Sequence, residues 1–548
     1  MCLNQEGVMS RLHWVVVSVF VAGLAVFSPC LATVAYGAGG GSTVVHVWAD
    51  APGGQTGADW QNAFHTIDQA VAAAGASAYE QMWVAGSLSH SELLESWARE
   101  TDILVLGGFS GTENAPEERT AGAFSTIDGG NAAPAFQFAN TAGTITFRDF
   151  AFTRTKRGAL RKTGGAGHVC VTNCLFYGNR SNAGNATGNC LHLVGASGQQ
   201  AEVSVSGCRL EGNAVDAYDA AIAVTIYANT LKRLTLDSCT FVTNTASIKC
   251  PTGNQCPGRD TLKGSEIYAI AAPVTARNCK FLVNRGCTRD ANRAGGNIRL
   301  EGLSAPSAFT NCLFAGNSCQ YSWREYEYFE NTTNMTGTVL VDLANASDAV
   351  DFANCTFAYN VTAGRCAPGA LEVNKGCVNV VNSIFYGNVK ATQSTAGRDI
   401  DAQPGQASVT VSYSAFEGLG SDFLTGPITI GEGVFACNPL FVTPYATVSA
   451  VIDNTSDYGV VFYKNTDAAV GVLSALNLHL RGRQGYTDEL TGERVKYRRE
   501  TSPAIDKGNP ASRWEKEPAP NGRRVNLGFY GNTPYATCSD LGLLLMVR

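Results

Sequence analysis

One short motif recurs along the middle of the chain and constrains its fold more than any other feature. The copies are Asn173-Cys174-Leu175-Phe176, Gly207-Cys208-Arg209-Leu210, Ser238-Cys239-Thr240-Phe241, Asn278-Cys279-Lys280-Phe281, Asn311-Cys312-Leu313-Phe314, Asn354-Cys355-Thr356-Phe357 and Asn382-Ser383-Ile384-Phe385. Tyr413-Ser414-Ala415-Phe416 is a degenerate further copy, and Asp149-Phe150-Ala151-Phe152 opens the series. Three residues after each of the seven anchors stands an asparagine: Asn179, Asn213, Asn244, Asn284, Asn317, Asn360 and Asn388. Anchors 24 to 43 residues apart define units too small to enclose a core alone, so each must stack on its neighbours.

The register inside a unit shows how the chain turns. Seven and five residues before the anchor the positions are mostly apolar (Val169/Val171, Val203/Val205, Leu234/Leu236, Val378/Val380) with polar residues between them, the pattern of a strand with one buried face. At the anchor and two residues before it the apolar positions return on the opposite parity. The alternation therefore slips by one at the intervening Asn, Gly or Ser. A single residue in the left-handed region turns a corner there and resets which parity faces inward, and Asn and Gly adopt that conformation most readily. Positive φ is expected at Asn278, Asn311, Asn354 and Asn382.

Strands meeting at such corners, with coils stacked ~4.8 Å apart, describe an all-β solenoid, a right-handed parallel β-helix. Phe and Cys ladders are expected inside and Asn ladders bonding coil to coil. A third strand per coil is expected at Leu191 to Leu193, Ile222 to Ile226, Glu266 to Tyr268, Ile298 to Leu300, Val339 to Leu343, Leu371 to Val373 and Asp399 to Asp401. The expected organisation is a signal peptide (1–38), an N-terminal cap with first coils (39–124), the β-helix repeats (125–425) and an irregular closing segment with a tail (426–548).

Charged residues make up 16 % of the chain and the net charge is -6, which excludes a coiled coil and charged disorder. No Lys/Arg-rich run offers a basis for a nucleic-acid partner. The apolar stretch from Trp14 to Phe27, followed by Ser28-Pro29, reads as a secretory signal and falls short of the ~20 residues of a membrane span. A secreted or outer-cell-surface location follows as an expectation, with no transmembrane domain in the mature chain. Of 18 cysteines, Cys2 and Cys30 leave with the signal. The ladder cysteines read as small buried apolar residues, and Cys250, Cys256, Cys319, Cys366 and Cys377 as loop candidates for disulfides. No spacing argues for zinc, and no metal or other cofactor is expected.

The Phe-x-x-Asn copies, alternating with Gly295-Gly296-Asn297-Ile298 or Gly369-Ala370-Leu371, resemble the repeats of the passenger region of polymorphic outer membrane proteins and related bacterial β-helix proteins. Trp60 to Ala70, Gly107 to Glu113 and Ile127 to Gly130 are similar to that group's first coils. Asn438 to Phe441, Ser502 to Asp506 and Val525 to Gly531 are similar to its closing segment. The resemblance implies a β-helix at a cell surface and leaves the activity open, since the scaffold hosts adhesins, lyases and glycosidases alike.

Stacking makes residues of successive coils neighbours. The outward positions of the third strand are read as His192, Thr225, Glu266, Tyr268, Arg299, Glu301, Asp342, Glu372, Asp399 and Asp401. Arg299, Asp342 and Glu372 are the candidate catalytic residues: a carboxylate pair for acid/base or nucleophilic work on a sugar, or a basic residue with carboxylates, Ca²⁺ entering only in a lyase. His192, Tyr268 and Glu301, with Tyr321, Trp323, Tyr326 and Tyr328 of an aromatic loop, are candidates for binding the substrate. The same residues also describe an ordinary solvated face. Two functions stay open: a non-catalytic adhesin or carbohydrate-binding protein whose partner is a polysaccharide or a host or cell-surface glycan, and a polysaccharide lyase or glycoside hydrolase acting on an acidic polysaccharide.

Overall fold

The computed structural model describes residues 44–540 apart from 75–78, 90–96, 182–186, 199, 218–222, 249–264, 289–293, 303–305, 322–334, 363–366, 392–393, 454–461, 465–466 and 498–499. The chain is a parallel β-helix. Each complete coil carries four strands where the sequence pattern predicts three. In one coil Ile298–Glu301 leads into Ser307–Thr310, then Leu313–Ala315, then Ser318–Tyr321, before Val339–Asp342 begins the next. Stacked in register, these build sheet 1 (Val44–Trp48 to Ile428–Ile430), sheet 2 (Ser87–Ser89 to Phe435–Ala436), a short sheet 3 (Arg180–Ser181 to Val361–Thr362) and sheet 4 (Trp97–Arg99 to Leu424–Thr425). The extra strand escapes a periodicity argument because it is only two to four residues long.

The corner between sheets 1 and 2 is where the parity slip places it. Asn173, Ser238, Asn278, Asn311, Asn354 and Asn382 have φ of 50 to 55°, and Gly207 has φ 60°. A second left-handed residue turns sheet 2 into sheet 3: Gly178, Gly212, Thr243, Val283, Gly316, Tyr359 and Gly387, with φ of 54 to 66°. Behind the first corner Phe152, Phe176, Leu210, Phe241, Phe281, Phe314, Phe357, Phe385 and Phe416 pair in register as one fully buried column. From Phe281 to Phe416 neighbouring rings stack with centroids 4.4 to 5.0 Å apart.

Behind the second corner lies the buried ladder from Asn179 to Asn388. Within it Asn284 donates Nδ2 to the Phe241 carbonyl at 3.0 Å and to Asn317 Oδ1 at 3.1 Å, while its own Oδ1 accepts the backbone N–H of Asn244 at 3.0 Å and its Nδ2 at 3.1 Å. The same set repeats along the ladder. These bonds join coils where the short corner residues lack sheet partners.

The cysteine ladder is more than filler. The thiols of Cys174, Cys208 and Cys239 donate to the carbonyl two residues earlier at 3.3 to 3.4 Å, and Ser383 and Ser414, at the same station, do so at 2.9 and 2.8 Å. The station selects a small donor, which Cys and Ser both supply. Cys319 and Cys377, expected in loops as disulfide candidates, sit in strands, and their sulfurs accept hydrogen bonds from the Gly296 N–H and the Ser408 hydroxyl. Cys250, Cys256 and Cys366 lie outside the described residues.

After Ala436 the chain returns along the flank of the helix. Phe441, Leu473, Leu480, Leu527 and Phe529 pack on Leu313, Ala315, Ala358, Ile384 and Tyr386 of sheet 2, forming a second core. Backbone groups of the return segment bind the corner asparagines: Asn311 Nδ2 donates to the carbonyls of Phe529 and Gly531, both at 2.7 Å, and Asn382 Oδ1 accepts the Asn509 N–H at 2.6 Å.

Two substitutions separate the corner from the ladder. Asn284→Ala strands buried donors and acceptors on both neighbouring coils and is expected to cost roughly 3 kcal/mol or more. Asn278→Gly, keeping the left-handed turn, is expected to stay within about 1 kcal/mol. Urea unfolding of both variants checks the ranking.

Candidate functional site

Between its bulges sheet 4 alternates. Ile267, Ala269, Ile298, Leu300, Val339, Val341, Leu371 and Val373 are fully buried in the helix, so their neighbours project outward. The pairing aligns Arg161, His192, Tyr227, Tyr268, Arg299, Leu340, Glu372 and Asp401 in one outer column. A second column carries Val194, Asn229, Ile270, Glu301 and Asp342, and a bulge after Val341 brings Lys375 beside Asp342. Arg299, Asp342 and Glu372 thus share one face on successive coils without forming a single file. Arg299 and Glu372 flank Leu340, and Asp342 stands in the next column beside Glu301.

The first half of the face is aromatic and closely packed. The His192 and Tyr227 rings are 5.2 Å apart, Tyr227 and Tyr268 5.9 Å, and the Arg299 guanidinium lies 5.9 Å from the centre of Tyr268. Tyr268 donates its hydroxyl to Glu301 Oε2 at 2.5 Å, and Arg299 Nε donates to the same oxygen at 3.0 Å. Although they project from the sheet, His192, Tyr227, Tyr268 and Arg299 are only 3 to 7 % exposed. Burial, then Glu301, pushes the Tyr268 phenol upward, so it stays a donor. Burial, then the Arg161 charge, lowers the His192 imidazole to about 3.

The second half is acidic and partly exposed: Glu301, Asp342, Glu372 and Asp401. Glu372 Oε2 accepts the Gly337 N–H at 3.0 Å. Burial lifts Asp401 to about 6, against the opposing Gly397 N–H and Lys390 charge.

Three residues read as outward from the sequence point inward. Thr225, Glu266 and Asp399 are 0 to 1 % exposed: Glu266 and Asp399 precede their sheet 4 strands, and Thr225 sits at the register shift before Ile226, so the alternation of the strand does not reach them. Tyr321 ends the sheet 3 strand Ser318–Tyr321; Trp323, Tyr326 and Tyr328 lie outside the described residues. Tyr227 and Arg161 escaped the sequence reading. Aligning Leu191-His192-Leu193 on Ile226-Tyr227-Ala228 rather than on the residues before Ile226 would have found Tyr227.

Among the described residues no group of three or more His, Cys, Asp or Glu side chains is arranged to hold a metal ion, and no helix is long and apolar enough to cross a membrane. A cavity of about 70 Å³ lies where Tyr445, Phe441 and Arg481 of the return segment meet Tyr359 and Tyr386. At ~30 Å³ per water it holds a few waters and no sugar ring.

No protein-family model matches the chain, and no curated protein matches it. Among solved structures it aligns with pectate lyase Pel9A at 11 % identity over 89 % of this chain and 96 % of that one, with a TM-score of 0.34. The alginate lyase AlyF-OU02 in complex with G6 aligns at 12 % identity over 75 % and 91 %, TM-score 0.29. The catalytic domain of a GH87 alpha-1,3-glucanase in complex with tetrasaccharides aligns at 10 % identity over 72 % and 68 %, TM-score 0.19.

The buried imidazole makes a prediction about acid sensitivity. His192 is lowered from 6.5 to about 3, so its contribution to stability is complete above pH 6.5 and is lost as the pH falls toward 3. His192→Gln removes that proton uptake, and its melting temperature should fall less steeply than that of the wild type between pH 7 and 4, followed by circular dichroism.

Proposed function

We propose that the protein is exported and that the outer face of sheet 4 binds a neutral, hydroxyl-rich polysaccharide lying across the coils. The observation that carries this reading is the paired carboxylates: Glu301 is in register with Asp342, and Glu372 with Asp401, on four successive coils. Carboxylates accept hydrogen bonds in pairs from vicinal hydroxyls, and strand-borne side chains keep a fixed spacing of ~4.8 Å per coil. A polyanion would meet four carboxylates, with Arg299 already bonded to Glu301. An acidic substrate is therefore the poorer fit.

A second reading, cleavage of the bound chain, is favoured by one pair. Asp401, raised to about 6, retains part of its proton near neutral pH and suits a general acid toward a glycosidic oxygen; Glu372, on the neighbouring strand, is placed as its carboxylate partner. The coil spacing of ~4.8 Å is comparable with the roughly 5 Å between carboxyl groups in retaining glycosidases.

Calorimetric titration with neutral and acidic polysaccharides tests the binding. The Asp342→Asn/Glu372→Gln double variant is expected to bind a neutral glycan about tenfold more weakly or worse, with its melting temperature nearly unchanged because these carboxylates are partly exposed. Equal binding by the double variant removes this face from consideration. Tighter binding of pectate or alginate than of any neutral polymer overturns the substrate class. Asp401→Asn is expected to stop release of reducing ends while leaving binding in place.

A further inference from the structure

The residue one position before the first inward ladder residue of the sheet 4 strands (Leu191, Ile226, Ile267, Ile298, Val339 and Ile400) forms a column of its own inside the helix, which the sugar-binding reading does not use. It contains Cys190, Thr225, Glu266, Asn297, Thr338 and Asp399, all buried. Across the corner it faces the asparagine ladder: Asn179 Nδ2 reaches Cys190 Sγ at 3.9 Å, and Asn388 Nδ2 donates to Asp399 Oδ1 at 2.9 Å.

Glu266 is 0 % exposed. Its Oε1 receives the Ser265 hydroxyl at 2.5 Å and the Asn297 Nδ2 at 3.2 Å, and that Nδ2 also reaches Ser265 Oγ at 3.0 Å. Glu266 Oε2 has no partner, and neither has Asn297 Oδ1, the other end of the amide already bonded to this carboxyl. With Glu266 ionised both orphans are acceptors and cannot satisfy one another. A proton on Oε2 turns one of the two into a donor. The described groups packed around Glu266 are Ser265 on its own segment, Thr225 on the preceding coil and Asn297 on the following one, with the asparagine ladder opposite. None carries a charge that would compensate an ionised carboxylate. Asp399 shows the same arrangement four coils on, one oxygen bonded by an asparagine amide and Oδ2 without a partner.

We propose that Glu266 is held in the folded protein as a neutral carboxylic acid, its Oε2 proton directed to Asn297 Oδ1, and that this acid–amide pair is a pH-sensitive latch between two coils of sheet 4. Burial raises this carboxyl to about 8, in agreement with the geometry. Loss of the proton places an unpaired charge inside the helix two residues from Tyr268, and the strand Ile267–Ile270 is the element it strains. The inference is independent of what the outer face binds.

The sign is fixed by linkage. With a value of 4.5 in the unfolded chain and about 8 in the folded one, the stabilising effect of the proton is complete below pH 4.5 and is lost as the pH rises through 8. Melting temperatures of the wild type and Glu266→Gln between pH 5 and 10 test this. The variant, whose amide N–H substitutes for the acid proton, should match the wild type at pH 5 and exceed it by several degrees at pH 9. A variant that falls in parallel with the wild type overturns the latch. Should Glu266→Gln fail to fold, the carboxyl resonances of ¹³C-glutamate protein give a second reading. Burial also raises Glu517, to about 7, so the spectrum is recorded on Glu517→Gln as well. One glutamate still titrating near pH 8 supports the proposal, and titration of every glutamate below pH 6 overturns it.

Discussion

Every coil must reverse the parity of its buried side chains at each corner, and the whole solenoid depends on how cheaply the backbone can do that. A strand alternates in and out with a period of two, so a chain that bends without an extra conformational step would turn its apolar residues outward. One left-handed residue per corner supplies the step. At the first corner Asn dominates and at the second Gly is the commonest; both bear that conformation at low cost. The turn leaves backbone groups without sheet partners, and the buried asparagine ladder meets them with side-chain amides, tying each coil to the next. Corner and ladder are two halves of one device.

At two of the three second-corner positions that are not glycine, another part of the chain compensates. Val283 and Tyr359 are left-handed with φ of 56 and 60°, an unfavourable conformation for a β-branched or bulky residue. Both are buried beneath the return segment, in the same apolar cluster as Leu473, Phe441 and Leu480. The return segment covers the outer face of sheet 2 from Lys280 onward and binds the corner asparagines. Sheet 1 presents Thr146, Cys170, Ser204, Thr235 and Thr275 in its middle column, a file of small side chains. Its flanking positions carry the charges Arg148, Glu202, Arg233, Asp237 and Arg277, whereas sheet 4 carries the file of His192, Tyr227 and Tyr268.

Sheet 4 divides in two along the helix axis. In its first half His192, Tyr227, Tyr268 and Arg299 are nearly buried, and three of them bond within the face: Tyr268 and Arg299 to Glu301, and Tyr227 to Asn229. These residues set the shape of the surface and hold Glu301 in position. In its second half the carboxylates remain accessible in register, and the bulge after Val341 brings Lys375 beside Asp342. The proposed recognition by hydroxyl hydrogen bonds, rather than by stacking on the tyrosines, rests on that division.

The sequence alone determined the repeat, the first corner and the buried phenylalanine column, because each is written in residues a few positions apart: the parity slip at Asn278 and the Phe281 anchor belong to one local pattern. The return segment left a trace too, since the outward residues of sheet 2 change from Arg209 and Glu211 to Leu313, Ala315, Ile384 and Tyr386, a shift from partly exposed to covered. What only the tertiary structure decided is the register between coils. Loops of different length separate the strands of sheet 4, so no count along the chain reveals that Asp342 stands beside Glu301, that Arg299 lies over Tyr268, or that Glu266 and Asp399 turn inward. A slip of one residue exchanges the inner and outer faces, and that choice rests on which alignment buries Ile267, Ile298, Val339 and Leu371 together, a condition set by packing across coils and by no single coil alone.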